Sequence, residues 1–164
     1  MVHEVLRGNG VLLRPTVEAD LDLLTSWFND PDVYVFWGGT ALGEAEVAAK
    51  YVGRSSPNVE CFVIEAHGEP VGLVQYHEPG DDHAGVGLDM VVLPRYRRRG
   101  LGRTAVQILS TYLHERRDWQ RITVDPDESN LIGIAFWRAI GFVSERLVDD
   151  EPSRPPYWVM WLDQ

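Results

Sequence analysis

The amino-acid sequence predicts one α/β (α+β) domain, a central mixed, mostly antiparallel sheet of about seven strands flanked by about four helices. Three observations predict it. At 164 residues the chain fits a single hydrophobic core. Short segments rich in β-branched and aromatic residues are interleaved with segments whose apolar residues recur at helical spacing, in the order β-α-α-β-β-β-α-β-α-β-β. Nothing reads as an internal repeat, a low-complexity tract or a linker, so residues 1–164 are expected to form one unit.

The first strand is Gly10-Val11-Leu12-Leu13-Arg14-Pro15, ended by a proline that cannot donate to a ladder. Thr16 then stands where a helix cap is expected, ahead of a helix carrying Leu21, Leu23, Leu24, Trp27 and Phe28 that stops near Asn29-Asp30-Pro31. An aromatic loop, Tyr34-Val35-Phe36-Trp37-Gly38-Gly39, leads to a second helix over residues 44–51. Residues 61–66 and 71–76 read as strands joined through His67-Gly68-Glu69-Pro70 into a hairpin. A third strand over residues 85–93 runs into a basic, glycine-bearing run at 95–103 and a helix with Ala105, Val106, Ile108, Leu109, Tyr112 and Leu113 on one face. Residues 121–124 form a short strand, a helix through Trp137 stops at Gly141, and residues 142–147 and 157–162 close the fold.

With 15 basic against 25 acidic residues the net charge is −10. Such a surface repels phosphate backbones and anionic headgroups, which excludes nucleic acid and membranes as natural partners. It attracts polycations, and it serves solubility equally well. Cys61 is the sole cysteine, so no intrachain disulfide can form, which suits a reducing, cytoplasmic setting. Within Cys61-Phe62-Val63-Ile64 it reads as a buried small hydrophobe rather than a nucleophile. No apolar run approaches the roughly 20 residues that span a bilayer, and Met1-Val2-His3-Glu4 lacks the basic start of an export signal. The aromatic-rich Tyr157-Trp158-Val159-Met160-Trp161-Leu162 suits a core or an interface, which leaves monomer and homodimer both open. No metal is expected.

The segment richest in chemistry is Val91-Val92-Leu93-Pro94-Arg95-Tyr96-Arg97-Arg98-Arg99-Gly100-Leu101-Gly102-Arg103-Thr104. Its glycines permit a tight turn at the start of a helix, where several N–H groups lack intrahelical partners and the dipole is positive; a diphosphate suits such a nest. The arginines add countercharge, and a solvated basic turn is the other reading of the bare pattern. There is no Gly-Lys-Ser/Thr ending and no Gly-x-Gly-x-x-Gly with a later acidic residue, so neither a mononucleotide P-loop nor a nicotinamide cofactor is favoured.

Arg97-Arg98-Arg99-Gly100-Leu101-Gly102 resembles the coenzyme A pyrophosphate loop of the GNAT acetyltransferase superfamily, Gln/Arg-x-x-Gly-x-Gly/Ala after a strand. Downstream, Asn130, Ala135 and Trp137-Arg138-Ala139-Ile140-Gly141-Phe142 are similar to its second signature, Asn…Ala…Tyr-x-x-x-Gly-Phe, at matching spacing. A narrower resemblance is to the aminoglycoside 6′-N-acetyltransferases. Phe36-Trp37-Gly38-Gly39, Gly72-Leu73-Val74-Gln75, Gly87-Leu88-Asp89 and Asp125-Pro126-Asp127-Glu128-Ser129-Asn130 match four of that family's short motifs in order, and siderophore-type acyltransferases share parts of the pattern. The resemblance implies a GNAT-like domain whose sheet splays at a cofactor cleft. It implies acetyl-CoA as cofactor, held by Val91, Val92, Arg97, Arg98, Arg99, Gly100, Leu101, Gly102, Arg103, Thr104, Asn130 and Trp137. It also implies acetyl transfer to an amine of a small cationic acceptor, foremost an aminoglycoside 6′-amine, the chemistry of antibiotic resistance.

Asp89 interrupts an apolar strand, and a carboxylate there is costly unless it faces water or a cation; Asp125 precedes a proline and also reads as a turn aspartate. An amine at neutral pH is mostly ammonium and must lose a proton before it attacks a thioester, so a nearby carboxylate both holds the cation and accepts its proton. With the resemblance, Asp89 is assigned as base and Asp125 as the positioning anion, with Trp37 and Gln75 lining the acceptor and Glu78, Asp81 and Asp82 as further members of an acidic rim. Backbone N–H groups near Met90, Val91 and Val92 are expected to face the thioester oxygen. Trp137 stands where the superfamily often has a tyrosine that protonates the leaving thiolate, a proton that indole cannot give. Two other functions stay open: acylation of a different amine, such as a siderophore hydroxylysine or a protein N-terminus, and a non-catalytic acyl-CoA-binding sensor.

Overall fold

The computed structural model describes residues 4–79 and 85–163, which form eight strands and five α-helices. In chain order these are β1 (Leu6–Gly8), β2 (Val11–Pro15), α1 (Leu21–Phe28), α2 (Pro31–Tyr34), α3 (Glu44–Tyr51), β3 (Val59–Ala66), β4 (Glu69–His77), β5 (Val86–Val92), α4 (Leu101–Arg117), β6 (Arg121–Val124), α5 (Leu131–Ala139), β7 (Val143–Val148) and β8 (Tyr157–Asp163). The eighth strand is the addition to the expected set: β1 pairs with β2 through Asn9-Gly10, both at positive φ (47° and 79°). Asn-Gly is the strongest short hairpin dipeptide, because a tight turn of matching twist needs two left-handed residues.

One sheet of order β1-β2-β3-β4-β5-β6-β8-β7 contains every strand. All neighbours are antiparallel except β5 and β6, which are joined by the α4 crossover and, among the described residues, pair in parallel only at Val86↔Ile122 and Gly87↔Thr123. Both faces of the central strands are covered. Phe62, Ile64, Val74, Tyr76 and Leu88 pack under Ala105, Leu109 and Leu113 of α4, while Cys61, Val63, Leu73 and Val91 pack under Leu24, Phe28 and Val47 of α1 and α3. This explains why β3 and β4 read as almost continuous apolar runs rather than alternating ones. Each fully buried side chain such as Leu109 or Leu113 (0% exposed) contributes roughly 2–3 kcal/mol of transfer free energy.

Thr16 does not cap α1. The chain makes a 3-10 turn at Glu18–Asp20 first, and the Asp20 carboxylate accepts the Val17 N–H at 2.8 Å. Asp20 is fixed in turn by two bonds from Arg14 at 3.0 Å, and Arg14 Nε donates to Glu65 Oε1 at 2.9 Å. A charged acceptor backed by a guanidinium outcompetes a hydroxyl for this role. The Thr16 hydroxyl is buried without a hydrogen-bond partner among the described residues.

Gly72 is where β4 and β5 come closest: a Cβ there would overlap the Val91 carbonyl oxygen. Gly72→Ala is therefore expected to push β5 outward at Val91 and Val92 and to lower stability by about 1–3 kcal/mol, read as a shift of the urea unfolding midpoint.

Candidate functional site

The gap between β5 and β6 is the feature from which the site is built. After Gly87↔Thr123 the two strands separate, and β6 continues only against β8. The Leu93 N–H bonds the Val71 carbonyl on the β4 side at 2.9 Å. Because backbone groups of a strand alternate in direction, the Met90 and Val92 amides face the gap. The first turn of α4 docks on the same stretch of β5: a Cβ at Gly102 would lie 3.1 Å from Met90 Cε and 3.4 Å from Val92 Cγ2.

At that end of β5 the backbone forms the expected nest. Arg98 and Gly100 are left-handed (φ 64° and 77°), and a Cβ at Gly100 would meet nothing within 4 Å, so the concavity is open. The amides of Leu101, Gly102 and Arg103 lie in the first turn, where no intrahelical acceptor exists, and that turn holds no acidic residue. The Thr104 amide is already bonded to the Gly100 carbonyl at 3.1 Å, leaving its hydroxyl as the group it offers. Arg98 and Arg103 are exposed and make no ion pair among the described residues. Free amides, positive dipole and loose guanidiniums together fit a diphosphate.

Arg97 is engaged within the protein. Its Nε donates to the Val92 carbonyl at 2.8 Å and its Nη2 to the Asp32 carbonyl at 3.2 Å, so it braces the loop against β5 and α2. Arg99 leans over the Tyr96 ring at 5.7 Å, with Arg95 at 4.8 Å, and the Tyr96 hydroxyl donates to Glu69 at 2.7 Å. Asn130 caps α5 by accepting the Gly133 N–H at 2.9 Å. Trp137, 7% exposed, packs edge-on against Phe136 and Phe142.

On the α1/α3 face, a polar row crosses three strands beneath the gap. Cys61 Sγ donates to Gln75 Oε1 at 3.2 Å, Gln75 Nε2 donates to Asp89 Oδ2 at 3.0 Å, and His77 Nε2 lies 2.7 Å from the same oxygen. Gln75 is buried and both ends of its amide are engaged, so it orients Asp89 rather than lining an acceptor. Burial raises the Asp89 carboxyl, yet the hydrogen bonds from His77 and Gln75 and the positive field of Arg154 outweigh it and hold the group below the ordinary aspartate value. That makes Asp89 a firm anion and a reluctant proton acceptor. The hydrogen bond to Asp89 raises His77 above its usual value, against the effect of burial. His77 was not among the residues singled out from sequence; its alternation with Gln75 on one strand face is the signal that places it beside Asp89. The Cys61 thiol is pushed up to about 12 by burial and by the charges of Glu60 and Asp89, so it is inert as a nucleophile, as expected.

Asp125 follows β6 on the far side of the gap. Arg154, from the β7–β8 connection, donates to Asp125 Oδ2 at 2.9 Å and to its carbonyl at 3.1 Å, and lies over the Tyr157 ring at 3.6 Å. Desolvation and the negative charge of Asp89 raise the Asp125 carboxyl, against Arg154. Trp37 is half-buried against Phe28 and Tyr51, and its indole N–H donates to the Tyr51 hydroxyl at 2.8 Å, which fixes one wall on the α3 side. Glu78 is paired with Arg117 at 2.7 Å and is not part of this cluster; Asp81 and Asp82 lie outside the described residues.

Residues 16–150 match the family described as acetyltransferase (GNAT) domain. The chain is 26% identical to aminoglycoside N(6′)-acetyltransferase type 1 of Klebsiella pneumoniae, over 93% of this chain and 83% of that protein. It is also 26% identical to spermidine N(1)-acetyltransferase of Escherichia coli K12, over 84% of this chain and 75% of that one. Among solved structures, aminoglycoside acetyltransferase AAC(6′)-Ib in complex with coenzyme A and kanamycin superposes with a TM-score of 0.82 at 26% identity, covering 94% of this chain and 95% of the other.

The nest generates a direct test. Gly100→Ala forces a side chain into left-handed backbone at the mouth of the concavity, and is expected to weaken coenzyme A binding about tenfold by calorimetry while thermal unfolding shifts by only a few degrees.

Proposed function

We propose, on the premise that this chain belongs to the GNAT acetyltransferase family, that it acetylates a primary amine of a small polycation, foremost an aminoglycoside 6′-amine. The observation that carries this reading is the placement of Asp89 and Asp125 on opposite sides of the β5–β6 gap, with the phosphate nest at one end of the same strand. As a family member it is an acetyl-CoA-dependent N-acetyltransferase, and the non-catalytic sensor gives way. No helix among the described residues is long and apolar enough to cross a membrane.

When bound, acetyl-CoA supplies an acetyl group activated as a thioester; transfer forms one N–C bond, breaks one C–S bond and releases one proton. The protein's residues have distinct tasks around it. The amides of Leu101, Gly102 and Arg103 hold the diphosphate, with Arg98 and Arg103 as countercharge. The Met90 and Val92 amides, turned into the gap, meet the thioester oxygen. Asp89 has one oxygen committed to His77 and Gln75, and the other, without a hydrogen bond among the described residues, is left for an ammonium. Asp125 supplies a second anion, and the Arg154 guanidinium that now covers it is the cation a polyamine must displace or share. With Trp137 in the core, no side chain is needed to protonate the thiolate, because a thiol pKa near ~8.5 makes it an acceptable leaving group.

Similarity to aminoglycoside and spermidine acetyltransferases at equal identity leaves two polycations to distinguish. The Phe36-Trp37-Gly38-Gly39 wall, anchored through Tyr51, favours a ring-bearing acceptor over a linear one. Thiol release from acetyl-CoA with kanamycin is expected to show a kcat/KM at least about tenfold above that with spermidine. The reverse ranking would make the protein a polyamine acetyltransferase, and no release with either would sink the proposal. Asp89→Asn is expected to lower kcat/KM by about 10²–10³-fold while coenzyme A affinity stays within about twofold.

A further inference from the structure

We propose that His77 Nδ1 accepts the proton of the acceptor ammonium, and that Asp89 is the residue that orients the imidazole rather than the base itself. The inference rests on the amine site proposed above and concerns how that site moves a proton.

Register brings the pair together. Gln75 opposes Asp89 and His77 opposes Gly87 across β4 and β5, so His77 and Asp89 are diagonal neighbours on one face. Gly87 has no side chain to displace the ring, which rests over it: a Cβ at Gly87 would lie 3.6 Å from His77 Cδ2 and 3.7 Å from its Cβ. The ring reaches across to Asp89 with Nε2 at 2.7 Å from Oδ2.

The contact fixes the tautomer. An ionised carboxylate only accepts hydrogen bonds, so neutral His77 carries its proton on Nε2 and presents a lone pair at Nδ1. Gln75 Nε2 lies 3.2 Å from His77 Nε2, and both nitrogens donate to the same carboxylate oxygen. Nδ1 has no hydrogen-bond partner among the described residues. His77 is also the most open member of the row, its side chain 45% exposed against 35% for Asp89, with Gln75 buried. The nitrogen with a free lone pair is therefore on the accessible group.

Proton affinity points the same way. Asp89 lies below the ordinary aspartate value of 3.8, whereas His77 lies above 6.5, nearer the range where an alkylammonium gives up its proton. Among the described residues, the charged groups that act on His77 are Asp89 from β5 and Asp125 after β6, both of which raise it; Arg154 from the β7–β8 connection acts on those two carboxylates. Tyr51 of α3 and Cys61 of β3 complete the surroundings as neutral groups, and Glu78 is turned to Arg117. In the step itself one N–H bond of the ammonium breaks and its proton joins Nδ1. The imidazolium so formed keeps its Nε2–H on Asp89, the amine keeps the freed lone pair, and the imidazolium returns its proton to water after transfer; the second N–H proton, lost by the nitrogen as the N–C bond forms and the C–S bond breaks, goes to the departing thiolate. An ammonium docked on the free oxygen of Asp89 weakens that carboxylate's pull on His77, which keeps the imidazole neutral when the acceptor arrives.

Two measurements test this. In ¹⁵N NMR of the ligand-free protein, neutral His77 should be the Nε2–H form, with a titration midpoint above 6.5 that falls in Asp89→Asn. In kinetics with kanamycin and with spermidine, kcat/KM should fall on acidification through that midpoint, since the base works only when neutral. His77→Gln retains an amide donor for Asp89 and removes the base; it should lose about 10²-fold in kcat/KM at pH 7 and flatten the acid limb, with coenzyme A affinity unchanged. A His77→Gln rate within threefold of wild type with the limb intact would return the proton to Asp89 or water, and a neutral Nδ1–H form would overturn the inference on its own. If wild-type protein turned over neither amine, the acceptor assignment would fall, and the tautomer would still decide the role of His77.

Discussion

Two hydrogen-bonded residue pairs, Val86↔Ile122 and Gly87↔Thr123, hold the two halves of the sheet together, and what happens beyond them determines the site. Because β6 leaves β5 there, a strand in the middle of a covered sheet acquires an unpaired edge. Unpaired buried backbone is costly, and here the first turn of α4 docks along that stretch of β5. The same divergence aims the phosphate nest and the Met90 and Val92 amides into one channel. Fold and chemistry thus share one cause: a parallel pair abandoned after two residues.

Charge is distributed across that channel with matching logic. The −10 chain is acidic overall, yet the turn before α4 is basic, and the carboxylates of Asp89 and Asp125 stand on opposite sides of the gap. Asp89 stays ionised because two donors and a distant guanidinium compensate its burial; Asp125, raised by desolvation and by the charge of Asp89 against the pull of Arg154, is shifted the opposite way. Two carboxylates on adjoining elements consequently differ in character: one is a fixed anion and the other is adjustable.

Much of this was legible in the sequence, and for identifiable reasons. Helix α3 at Glu44–Tyr51 and strand β6 at Arg121–Val124 fall where periodicity and breakers put them, and the tight turn into α4 falls at the glycines that permit it, with Gly100 left-handed. Strand β1 was hidden by its length of three residues, although Asn9-Gly10 announced it. Roles proved harder than positions. Gln75 and Arg97 stand in the expected places, but their donors are engaged inside the protein, and only coordinates reveal whether a side chain turns inward. His77 escaped notice because a lone histidine at a strand end carries no spacing signal; the register with Gly87 gives it meaning.

Arg97 joins Val92 at the cofactor strand to Asp32 in the helix that leads into the Phe36-Trp37 wall, carbonyls that lie far apart in the chain. One guanidinium is therefore a rivet between the two half-pockets. A displacement of either plate is felt by the other through that fastening, and binding linkage makes any such influence mutual: to whatever degree a seated nucleotide steadies the aromatic wall, an occupied wall steadies the nucleotide in equal measure.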